Sequence, residues 1–170
     1  MSCLPRTFSA LLAFVFAVPS ASYGAGLAVH RLDSTSSTLA AELVKDQFNV
    51  IMVWTTYCPV CRAQYPVLSR FHNAHHNTDA TVLGIALAEP EDRVAVATYR
   101  SATRQSFPSV IVRPEAMLDA FERAVGEPFG GTPTYLLFDA AGTLRTYLVG
   151  PTTEAQLEEL IASHDARRPE

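Results

Sequence analysis

The chain has 170 residues, 48% of them apolar and 18% charged, with a formal charge of -4. That supplies one ordinary core and too little for two full domains. A net negative charge without any Lys/Arg run excludes an electrostatic footprint for nucleic acid, and Arg167-Arg168 reads as a solvated tail.

Arg6 precedes the apolar run Phe8 to Val18, which gives way to Pro19-Ser20-Ala21-Ser22-Tyr23-Gly24-Ala25. This is the order of a secretory signal peptide, cleaved after Ala21 or Gly24. Residues 1–24 are therefore expected to be a removed leader and residues 25–170 the folded domain. The apolar run is shorter than the roughly 20 residues that span a bilayer, which makes an uncleaved anchor the secondary reading. Cys3 would leave with the leader. Cys58 and Cys61 would then be the remaining cysteines, in a compartment where disulfides persist.

In chain order, Ala25 to Asp33 reads as a short strand with Leu27 and Val29 on one side, and Ser34 to Thr38 as polar punctuation. Leu39, Leu43, Val44 and Phe48 have helical spacing. Val50 to Thr55 is apolar without alternation, the pattern of a strand buried on both faces. A helix is expected from Cys58, because Pro59 suits a first turn, and Pro66 should kink it. A buried strand Thr81 to Leu87, a helix Glu91 to Arg104, a strand Ser109 to Val112 and a helix Pro114 to Val125 closed by Gly126 follow. Thr134 to Phe138 and Thr143 to Val149 form a hairpin. The helix Thr153 to His164 opens with a Thr153/Gln156 capping box. Such alternation builds a mostly parallel sheet covered on both faces, with an antiparallel pair at its end and sites in the loops after parallel strands.

The pair Cys58-Pro59-Val60-Cys61 lies in such a loop. A cysteine at a helix N-terminus faces unpaired N–H groups that favour thiolate, so Cys58 is expected to be the exposed nucleophile. Cys61, one turn further in and shielded, suits the resolving role. A purely structural bridge would be a poor staple, because closing so short a loop removes little unfolded-chain entropy. A zinc reading arises from His72 and His76, which complete C-x2-C-x10-H-x3-H. Against it, a continuous helix would place His72 about 16 Å along the axis from Cys61. His72, His75 and His76 are instead expected to form a solvated helix end.

Trp54, the Cys58–Cys61 pair, Pro66, Phe107-Pro108, Thr132-Pro133-Thr134, Asp139, Gly142 and Gly150 together resemble the thioredoxin superfamily, and within it the TlpA/ResA-like periplasmic thiol-disulfide oxidoreductases. The resemblance runs from about Val50 to the last helix. It implies a thioredoxin fold, α/β, with a central mixed sheet of about five strands and helices on both faces. It also implies a cis-proline at Pro133 facing the cysteine pair, and client contacts at Thr132, Pro133, Trp54, Tyr57, Pro59 and Val60, the client pairing as an added strand. The sequence departs from these relatives at Met52, where thioredoxins carry a buried Asp, and at Gln64, where ResA-like proteins carry a Glu. Proton transfer to the inner cysteine is then left to water or to an acid such as Glu89.

The expected function is a periplasmic thiol-disulfide oxidoreductase, without external cofactor or metal, acting on protein thiols and disulfides. The chain is expected to be a monomer that exchanges electrons with a membrane or periplasmic redox partner. A reductive direction is favoured over a DsbA-like oxidant because Val60 cannot stabilise a thiolate as a histidine between the cysteines would. From a different class, a non-catalytic thioredoxin-fold binding module would keep the groove without needing Cys58 and Cys61.

Overall fold

A computed structural model describes residues 26–165; the leader expected at residues 1–24 lies outside them. Seven strands, β1 (Ala28–Arg31), β2 (Ser36–Thr38), β3 (Phe48–Trp54), β4 (Ala80–Leu87), β5 (Ser109–Val112), β6 (Thr134–Phe138) and β7 (Leu144–Val149), form one sheet in the order β2-β1-β5-β4-β3-β6-β7. The helices are α1 (Leu39–Glu42), α2 (Pro59–His75), α3 (Arg93–Ala102), α4 (Pro114–Val125) and α5 (Glu154–His164). The central strands β3, β4 and β5 run parallel, while β6, β7 and the β1–β2 pair are antiparallel additions at the two sides.

Successive residues of a strand point to opposite faces, and β3 shows what this does for a strand apolar throughout from Val50 to Trp54. Phe48, Val50, Met52 and Trp54 join the core formed with α2, α3 and α5, whereas Ile51 and Val53 join the core formed with α4 and Leu39. Two helical layers thus clamp a sheet whose middle never meets water, consistent with the strand pattern expected from sequence.

The sheet has seven strands where about five were expected, and the surplus lies at the N-terminal edge. Ser36–Thr38, expected to be punctuation, pairs with Ala28–His30 as an edge strand, where one half-exposed side accommodates polar residues. The helix expected through Phe48 is a single turn, Leu39–Glu42. The Asn49 side chain accepts the Val44 N–H at 2.8 Å and donates to the Val44 and Gln47 carbonyls, folding the chain back, and Asp46 adopts φ 63. Phe48 thereby enters β3 instead. Gly126 ends α4 in the left-handed region at φ 80, and Thr153 and Gln156 complete their capping box.

Of the histidines expected to form a solvated helix end, His76 is exposed and His75 half-buried, but His72 differs. His72 is buried, and its Nδ1 accepts the Val82 N–H at 3.2 Å, satisfying a backbone donor of β4. Burial, then the neighbouring His76, holds its pKa below the usual 6.5. The folded state thus binds this proton less readily than the unfolded chain. The neutral ring's full contribution is present above about pH 6.5 and is lost as pH falls towards the depressed folded pKa. Wild-type stability, followed by thermal melts between pH 7.5 and 5, should therefore drop more steeply than that of His72→Gln. Equal slopes would show that this ring does not contribute to acid sensitivity.

Candidate active site

β3 ends at Trp54, and a turn closed by the Cys58 N–H donating to the Thr55 carbonyl at 3.4 Å delivers Cys58 to the start of α2. Pro59 is the first helical residue, where its missing N–H costs no intrahelical bond. Cys58 is the N-cap, and its Sγ accepts the Cys61 N–H at 3.0 Å. The sulfur thus takes the place usually filled by a Ser or Asp oxygen, and the helix start directs an N–H at it. The two cysteines form a disulfide with Cα atoms 5.2 Å apart.

Cys61 is fully buried and Cys58 is 7% exposed. The outer cysteine is the more accessible of the two, as expected, but it is far more covered than the freely exposed position expected from sequence. The cover is the loop before β6: Cys58 Sγ lies 3.5 Å from the Thr132 carbonyl oxygen, and the Thr132-Pro133 peptide bond is cis. Pro133 is buried and Thr132 half-buried. Around the pair, Tyr57 is 84% exposed, Val60 43% exposed and Pro59 exposed, so these three form an apolar rim.

Trp54, expected among the client contacts, is fully buried and so is not part of that surface. Its ring stacks on Tyr99 at 5.8 Å and meets Tyr65 edge-on at 5.7 Å, which makes it the floor beneath the loop. Glu89, the acid suggested for proton transfer, forms a surface ion pair with Arg113. Met52 and Gln64 are both buried and neither ionises. Gln64 shares the inward face of α2 with Cys61, Tyr65 and Leu68. Its Oε1 accepts the Tyr135 hydroxyl at 3.1 Å and the Thr152 N–H at 3.0 Å.

Tyr135 and Thr152 were not among the residues singled out from sequence. The available signal was a tyrosine inside the apolar run of β6, since a buried hydroxyl needs a partner. Its burial also pushes the phenol pKa upward, keeping it a neutral donor.

The family model of AhpC/TSA matches residues 26–147. The chain belongs to the AhpC/TSA family. This AhpC/TSA member is 24% identical over 116 residues to the sporulation thiol-disulfide oxidoreductase A of Bacillus subtilis, covering 68% of this chain and 67% of that protein. It is 24% identical over 110 residues to the thiol-disulfide oxidoreductase ResA of Geobacillus kaustophilus, covering 65% of this chain and 59% of that one. Among solved structures, a thiol:disulfide interchange protein of the thioredoxin family from Chlorobium tepidum superposes with a TM-score of 0.65 at 23% identity. That match covers 80% of this chain and 90% of the other. The fold of the AhpC/TSA member is thus the thioredoxin fold, a mixed sheet with helices on both sides.

Proposed function

We propose that this protein is a thiol-disulfide oxidoreductase that reduces protein disulfides through Cys58 and Cys61. The carrying observation is the Cys61 N–H donating to Cys58 Sγ at the start of α2. The same N–H and the positive end of the helix stabilise a thiolate on Cys58 once the pair is reduced.

In the first step the Cys58 thiolate attacks one sulfur of a client disulfide. A mixed disulfide forms on Cys58, and the other client sulfur leaves as a thiolate that takes a proton from water. The Cys61 thiolate, its proton passed to solvent, then attacks Cys58 Sγ. The Cys58–Cys61 bond forms, the second client sulfur leaves and is protonated, and two electrons have passed to the client. The Thr132 carbonyl and the rim of Tyr57, Pro59 and Val60 receive the client chain around its cysteine, with Pro133 beneath them.

The reductive direction is supported by what surrounds the sulfur: a backbone N–H and the helix start, with apolar Val60 between the cysteines. Additional charge-assisted donors would stabilise the reduced form and make the pair a stronger oxidant. The order of residues 6–25 supports work in the periplasm after leader cleavage, with a membrane or periplasmic partner returning electrons to the pair. The chain works as a monomer without cofactor.

Insulin reduction and glutathione equilibration of the domain test this reading. Wild type should reduce insulin, and Cys58→Ser should abolish the activity. Alkylation of the reduced protein at mildly acidic pH should label Cys58 ahead of Cys61. A potential in the range of strong oxidants without insulin reduction would reverse the direction. Absence of any exchange would leave a binding module.

A further inference from the structure

We propose that Gln64 is a positioning residue, whose side-chain carbonyl ties the cysteine helix to the cis-proline strand and so sets where a client lies against Cys58. The inference rests on the thiol-disulfide exchange reading above and assigns a role to a residue outside the reacting pair.

Gln64 is 7% exposed, and the two donors that converge on its Oε1 come from different places. Tyr135 stands on β6 two residues beyond Pro133, so its hydroxyl reports the position of the strand that presents the Thr132 carbonyl. Thr152 lies two residues after Gly150, whose N–H donates to the Pro133 carbonyl at 2.9 Å. A single amide oxygen therefore holds both routes to Pro133. The circuit closes through the Thr132 oxygen, 3.5 Å from Cys58 Sγ, back to the helix that carries Gln64.

The chemistry requires an acceptor at this place. An apolar residue would leave the Tyr135 hydroxyl and the Thr152 N–H buried without an acceptor. A carboxylate would accept both donors, but residues three apart on a helix have Cβ atoms about 5–6 Å apart. Its charge would then face Cys61 and disfavour the thiolate needed for resolution. Gln64 supplies the acceptor and leaves the charge out.

Because the tie acts on the client-binding strand, its loss should be read by protein clients and not by a small thiol. With insulin, Tyr135→Phe should raise KM about tenfold, the scale of one lost buried hydrogen bond, and Gln64→Met, which loses two, at least as much, with kcat within about twofold in both. The equilibrium constant with glutathione should stay within about twofold in both. Gln64→Glu should keep the wild-type KM but move the alkylation profile of Cys61 to higher pH. If Gln64→Met fails to fold, Tyr135→Phe removes a single hydroxyl and carries the test alone. An unchanged KM in Tyr135→Phe, or a KM and a glutathione constant that shift together, would overturn the positioning role. A wild type that neither reduces insulin nor exchanges with glutathione would overturn the functional reading and this inference with it.

Discussion

Cys61→Ser is expected to stop multiple turnover, lowering kcat by roughly three orders of magnitude or more, and to leave clients covalently held on Cys58. The reason lies in the division of labour between the two sulfurs. Cys58 keeps its N-cap position, and the Cys61→Ser backbone still offers the N–H that now donates to Cys58 Sγ at 3.0 Å. Attack on a client disulfide should therefore proceed. The second step needs a nucleophile one helical turn away, and a serine hydroxyl at that buried place is not ionised near neutral pH. The mixed disulfide should then persist until an added thiol cleaves it. Non-reducing electrophoresis and intact mass measurement of Cys61→Ser incubated with a disulfide-bonded client would show the adduct at the summed mass. Cys58→Ser should show none. Full turnover by Cys61→Ser, or an adduct formed equally well by Cys58→Ser, would remove the assigned order of attack.

Much of this arrangement was legible in the sequence because it depends on local chemistry. Pro59 after Cys58 marks a helix start, the apolar run from Val50 marks a strand buried on both faces, and Gly126 and the Thr153/Gln156 box mark helix ends. β1 was legible within Ala25 to Asp33, but β2 escaped because an edge strand need not be apolar, and three polar residues at Ser36–Thr38 look like a loop until Ala28–His30 pairs with them. The Asn49 side chain that cuts the helix after Glu42 acts through the backbone of residues it follows, a signal no periodicity carries. His72 looked solvated because the polar stretch Asn73 to Asp79 follows it. Its partner, the Val82 N–H, is supplied by β4 only once α2 lies across the sheet. The two bonds to Gln64 are hidden for the same reason, since their donors stand 71 and 88 residues away.

The burial of Trp54 carries the largest expected effect on stability. Its indole closes β3 directly beneath the turn that presents Cys58, and it lies between Tyr99, Tyr65 and the backbone of β4. At Gly84 a Cβ would stand 2.8 Å from Trp54 Nε1 and 2.3 Å from Ser109 Oγ, so the ring sits where only a glycine leaves room. Trp54→Ala should therefore open a cavity that a sheet held by β4 and β6 on either side cannot collapse to fill. The expected cost is about 3–5 kcal/mol, seen as a melting temperature lower by roughly 10 °C. Trp54→Phe keeps an aromatic floor and should cost less than half as much, with a KM for insulin within about twofold of wild type. That second measurement separates the floor from a client contact: a floor residue affects how much protein is folded, whereas a contact residue affects how tightly the folded protein holds its client. A Trp54→Ala domain that melts with wild type, or a Trp54→Phe protein of unchanged stability with a much weakened client interaction, would return Trp54 to the binding surface.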